Sequence, residues 1–169
     1  MGILSGNPHK EPLHYGEVFG IWSYVMMGKA NYASYQTFIN HCGDEDLQKI
    51  LGDCISQINQ EYERLEEILK VNGISIPPSP PERSYADSEN IPIGAKFQDK
   101  EISGAISVNI AKCLVSCSTI MGESIREDIA MLFGQFHTNQ AQTAAKLLRL
   151  NKEKGWLITP PLHTDIPNV

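Results

Sequence analysis

The stretch CISQINQEYERLEEILKVNG, residues 54–73, decides the fold class and raises the first chemical question. Steps of seven from Leu47 reach Cys54, Glu61 and Ile68, and a companion series runs Leu51, Ile58, Leu65. Apolar residues at this spacing form one stripe of an amphipathic helix. Asp44 suits its N-cap, Glu45 and Asp46 suit the positive end of its dipole, and Gly73 suits its stop, which predicts a helix over 44–72. On that stripe Glu61 is the exception, a carboxylate where the core expects an apolar side chain.

The same period extends along most of the chain. Pro12 and Gly43 bracket a first helix over 12–42, with Val18, Trp22, Val25, Met26, Ala33 and Phe38 in its interior. A third helix is expected over 99–121, and its many small residues suit burial on more than one side or a subunit contact. Ser124 and Glu127 have capping-box spacing and predict a fourth helix over 125–154, stopped at Gly155. Residues 155–169 form a C-terminal tail, and no segment reads as a strand.

Short connections make helices one and two, and helices three and four, antiparallel hairpins. Between them lies a Pro-rich connection, 73–98. The second helix is about 40 Å long at ~1.5 Å per residue, a distance that the connection spans when extended at ~3.3 Å per residue. A structureless loop of that length is uncommon without a purpose, and crossing from one bundle end to the other is such a purpose. The expected fold is therefore all-α, a single-domain ferritin-like four-helix bundle with a long crossover; an up-down-up-down bundle with a surface loop is the alternative.

Polar residues also interrupt the other stripes: Asn109 on the third helix, His137 on the fourth, and Glu17 below Tyr24 on the first. Counted from the hairpin turns, Glu61, Asn109, His137 and Tyr24 lie at one mid-bundle height. A carboxylate and an imidazole in a bundle core suit a hydrogen-bonded network or an Fe, Mn or Zn ion. A di-metal centre needs a Glu from each of two helices and Glu-x-x-His from the other two. Glu61 is followed at that spacing by Arg64, and His137 is preceded by Gly134, so a buried polar layer is the favoured reading. His14-x-x-Glu17 has ligand spacing as well, at a helix start where solvated side chains are the rule, and His9, His41 and His163 read as loop or helix-end residues.

A net charge of −6 and the lack of a basic face argue against nucleic-acid binding. No apolar run suggests a membrane span of about 20 residues. The start lacks signal-peptide character and misses the myristoylation pattern at Gly6. Four cysteines without a C-x-x-C spacing read as reduced, packing residues, so a cytoplasmic location is expected. No nucleophile elbow, phosphate loop or H-E-x-x-H occurs, and the pattern leans away from an enzyme.

The segments PLHYGEVFGIW, TFINHCGDEDLQKIL, NGISIPPSPPER and AKLLRLNKEKGWLITPPLH together resemble uncharacterised ferritin-like proteins of endospore-forming bacteria, related to spore coat protein F. The resemblance implies a ferritin-like bundle and a spore-coat or spore-associated role. For such a structural protein, the small-residue third helix and the Pro-rich loop and tail point to a second copy (a homodimer) or other coat proteins as partners. It supplies no catalytic residues. The Gly155-Trp156 pair is similar to the helix-end pair of that group, and Trp156 is expected to fold back onto the bundle end.

Overall fold

The computed structural model describes residues 11–163, so His9 lies outside the described residues. Four long helices account for most of these: α1 Tyr15–His41, α2 Glu45–Val71, α3 Asp99–Glu123 and α4 Glu127–Glu153. Two single 3₁₀ turns, Ser88–Asn90 and Ile93–Ala95, interrupt the α2–α3 connection, and no strand occurs among the described residues. Asp44 caps α2 by accepting from the backbone N–H groups of Asp46 (3.1 Å) and Leu47 (3.0 Å). At the C-terminal ends, Gly73 and Gly155 take φ of 71° and 70°, the left-handed geometry that a side chain disfavours. Each reverses the chain so that the next residue bonds back into the helix: Ile74 N–H to Leu69 and Trp156 N–H to Asn151, both at 2.9 Å. Trp156 thereby folds back against the core cluster at that end.

In cross-section the helices form a square, with α1 against α2 and α3, and α4 against α2 and α3. The end contacts give the direction of each helix. Gly43, between α1 and α2, donates its N–H to Asp99 at the start of α3 (2.9 Å), while Lys154 at the end of α4 pairs with Asp44 (2.6 Å). Helix α3 therefore begins at the end where α1 finishes, and the α2–α3 connection crosses the full bundle. It does so as a strap along α1. Trp22 Nε1 donates to Ser75 O (3.0 Å), Lys29 Nζ to Pro77 O (2.6 Å), Arg83 N–H to Gln36 Oε1 (3.0 Å) and Asn40 Nδ2 to Ser84 O (2.9 Å). Lys29 is buried to 4% exposure and also pairs with Glu66 at 2.7 Å. A lone lysine among the apolar residues of α1 gave no sign of this role.

Three sequence expectations are corrected. Helix α1 starts at Tyr15 with His14 as N-cap, rather than at Pro12. Ser124 ends α3 and bonds back to Ile120 O (2.6 Å); α4 starts at Glu127 with Arg126 as N-cap, and the amides of Ile125 and Arg126 just before it are met from α1. Met26 is 47% exposed, because the α1 core stripe follows Ile21, Tyr24, Val25 and Gly28. Close packing of α1 on α3 is helped by Gly20, where an added Cβ would lie 3.0 Å from Ile120 Cγ1.

Helix α3 also qualifies the reading of the chain against membranes. Its segment is the single one among the described residues long and apolar enough to cross a membrane, at a mean hydropathy of 1.4. In the bundle its apolar residues divide between two faces. Ile102, Ile106, Ile110, Cys117 and Ile120 point into the core, whereas Val108 and Val115 point outward.

Candidate functional site

Glu61 is 5% exposed and stands at the centre of a polar group to which every helix contributes. From α2, Gln57 lies one turn before it, and the Gln57 amide donates to Glu61 Oε1 at 2.7 Å. From α1, the Tyr24 hydroxyl donates to Glu61 Oε2 at 3.0 Å. From α4, Gln140 hydrogen-bonds to Glu61, and Thr143 Oγ1 donates to Gln57 Oε1 at 3.3 Å. From α3, the Cys117 thiol reaches the Tyr24 hydroxyl at 3.6 Å. A cavity of about 10 Å³, bordered by Tyr24, Gly28, Cys113, Gln140 and Glu61, adjoins the group. That is room for about one water molecule.

Among the described residues, no cationic side chain is paired with this carboxylate. Burial raises the Glu61 pKa above its ordinary value, and the bonds from Gln57, Tyr24 and Gln140 oppose that rise. Burial, followed by the Glu61 charge, pushes Tyr24 far up. The thiols behave alike: burial pushes Cys113 up to about 12 and Cys117 up to about 11. Neither is a thiolate near neutral pH, and a thiol is a poor nucleophile. Among the described residues, every buried side-chain nitrogen and oxygen has a hydrogen-bond partner. The centre is internally satisfied, with its donors and acceptors directed at one another.

Of the four residues expected at one height, the structure joins Glu61 and Tyr24. Asn109 is half-buried and hydrogen-bonds instead to Tyr35. His137 is half-buried on α4, next to Phe136, and is not among the hydrogen-bond partners of Glu61. Gln57, Gln140 and Thr143 were not among the residues expected in the polar layer. A signal for the α4 pair existed: the four-three spacing Ile129, Phe133, Phe136, Gln140, Thr143, Leu147, Leu150 marks the buried stripe, and it passes through both.

His14 and Glu17 form a second polar cluster, and the structure gives them a capping role. His14 Nδ1 accepts from Gly16 N–H at 2.9 Å, so Nε2 carries the proton and donates to Glu123 O at 3.1 Å. Both ring nitrogens are thereby engaged. Glu17 accepts from His14 N–H (3.1 Å) and, with its other oxygen, from the N–H groups of Ile125 and Arg126, each at 3.0 Å. A buried carboxylate of α1 thus holds the two amides that precede α4 and locks the α3–α4 turn onto the start of α1. Among the described residues, no three His, Cys, Asp or Glu side chains are placed to share a metal ion. The reading of Glu61 with His137, or of His14 with Glu17, as ligands for Fe, Mn or Zn is not supported: the partners of Glu61 are a phenol and two carboxamides, and those of Glu17 are backbone amides.

These features define a class: an all-α bundle with a full-length crossover strap and a closed polar centre. Along residues 1–169 the chain matches the model of a family described as proteins of unknown function, DUF3231, and it belongs to that family. It is 55% identical over 163 residues to the uncharacterized protein YvdQ of Bacillus subtilis (strain 168), a match covering 96% of each chain. A crystal structure from Bacillus halodurans C-125, named "putative spore coat protein (BH2358)", is 52% identical and superposes with a TM-score of 0.92, covering 94% of this chain and 100% of that one. A conserved hypothetical protein of Mycobacterium tuberculosis, rv2844, has a TM-score of 0.66 at 9% identity, covering 80% of this chain and 96% of that one. That last likeness concerns the fold alone.

Proposed function

We propose that this chain is a spore-coat or spore-associated structural and interaction protein that carries out no catalytic turnover. The observation that carries the reading is its full-length similarity to the Bacillus halodurans protein of that name. Two features of the bundle agree with it. The polar centre spends its hydrogen-bonding capacity internally, and the thiols nearest to it are held protonated. In this reading the scaffold is ferritin-like, its centre around Glu61 and Tyr24 fixes the register of the four helices, and its partners are a second copy or other coat proteins.

The test is localisation. A fluorescent fusion in a sporulating Bacillus host is expected to ring the forming spore, and the untagged chain to appear in the coat extract of purified spores. A fusion that stays evenly spread in the mother cell, with no chain in the coat extract, overturns the proposal.

A further inference from the structure

The chain carries a net charge of −6, yet one face is almost free of charge. From Ile102 to Gly122 of α3 the single charged residue is Lys112, and from Ile129 to Ala145 of α4 there is none. The outer side of α2, by contrast, carries Glu45, Asp46, Asp53, Glu63 and Glu67. On the uncharged face Val108 is 55% exposed, Val115 67%, Met131 56% and Leu148 45%. Between α3 and α4 runs an apolar groove of about 310 Å³, floored by Ile110, Leu114 and Leu147 and closed at one end by Leu157.

We propose that this face binds a second copy of the chain, with the two α3 helices antiparallel across a two-fold axis near Cys113. The inference rests on the interaction-protein reading above and names its partner and surface. Electrostatics favour this occupant. Copies of an acidic chain repel through most of their surface, whereas this face opposes no carboxylates between Ile102 and Gly122. Its one charge on α3, Lys112, stands at the flank of the stripe, where a long side chain keeps the ammonium in water. Its outward stripe is Gly104, Val108, Ala111, Val115, Ser118 and Gly122, at the four-three spacing of close helix packing.

Antiparallel pairing in the register of fullest overlap sets Gly104 against Gly122, Val108 against Ser118, and Ala111 against Val115. Each branched residue then meets a small one, as an isologous contact requires. The available area is adequate too. α3 is roughly 37 Å long at ~1.5 Å per residue, and two helices about 10 Å apart present a face on the order of 20 Å wide. Their product, roughly 750 Å², is close to the ~800 Å² per partner of a stable interface.

Light scattering on the eluting full-length protein tests this. The wild type is expected at twice the chain mass of 18.8 kDa. Val115→Arg is expected at the single-chain mass with an unchanged helical circular-dichroism spectrum, since the position is on the surface of the single chain, and with a melt lowered by the lost association; Gln60→Arg on the outer side of α2 stays dimeric. The double variant Ala111→Cys, Val115→Cys, mildly oxidised, is expected to give a covalent dimer on a denaturing gel. A wild type monomeric at 50 µM (on the order of fifty-thousandfold above a nanomolar Kd), a dimer that survives Val115→Arg, or a dimer without the cross-link overturns the proposal. Co-sedimentation of the wild type with phosphatidylglycerol vesicles, lost in Val115→Arg, also overturns it and assigns the face to lipid. A monomer that still enters the coat extract removes this inference and leaves the proposed function standing, whereas a dimer absent from the coat does the reverse.

Discussion

Replacing Glu61 by alanine removes the common acceptor of Tyr24, Gln57 and Gln140. A buried donor left without a partner costs roughly 1–3 kcal/mol. The lost side chain also leaves a hole of roughly 50 Å³, worth about 1 kcal/mol at ~24 cal/mol per Å³. A water entering beside the existing cavity of about 10 Å³ recovers part of this. The net expectation is a loss of about 3–5 kcal/mol, a fall in melting temperature on the order of 10 °C. Glu61→Gln keeps the volume and one oxygen, and rotation of the neighbouring carboxamides accommodates the new NH₂, so it stays within about 1 kcal/mol of wild type near pH 5.

The pH dependence separates the two variants further. Burial raises the folded-state pKa of Glu61 above its ordinary 4.5, so the folded state holds the proton more tightly than the unfolded state. Its favourable contribution is complete below pH 4.5 and is lost as pH rises through the folded-state pKa. Wild type should therefore lose stability relative to Glu61→Gln as pH rises from 5 to 8. Urea unfolding followed by circular dichroism at several pH values measures the difference. If Glu61→Gln costs as much as Glu61→Ala, and the gap to wild type is flat across that range, the carboxylate is ionised and the account of the centre fails.

Other perturbations address the remaining polar anchors. Lys29→Met strands Glu66 and Pro77 O beneath the strap and is expected to cost about 3 kcal/mol, with limited proteolysis newly cutting between residues 76 and 98. Glu17→Ala leaves the Ile125 and Arg126 amides without their acceptor and frees the α3–α4 turn; a loss of roughly 2–4 kcal/mol is expected in thermal melts, and Glu17→Gln should recover part of it. All four cysteines are buried, and burial pushes each up to between about 11 and about 12. Ellman's reagent at pH 7.5 should therefore label the native protein at least ~100-fold more slowly than the urea-unfolded chain; rapid labelling of Cys113 or Cys117 would contradict the closed centre. Gly73→Ala, at a φ of 71°, should cost about 1 kcal/mol in the same melts.

Local rules alone determined much of this molecule. The period of apolar residues, Asp44 as a cap and the two terminal glycines specify four helices and their order, because each of these signals acts within one or two turns of chain. The length of 73–98 pointed to a crossover, because the connection had to span the bundle. The burial of Glu61 was legible from the heptads of α2, since seven-residue steps mark one side of a helix whatever packs there. The partners of Glu61 were a different matter. Counting from turns placed Asn109 and His137 at its height, but the rotation of α3 and α4 about their axes directs Asn109 to Tyr35 and brings Gln140 inward. Such rotations follow from the packing of all four helices together, through contacts such as Gly20 on Ile120. Lys29 under the strap and Glu17 at the α3–α4 turn are likewise contacts between segments distant in sequence. Their energy comes from burial that exists only once the bundle has closed, so the tertiary structure alone decided them.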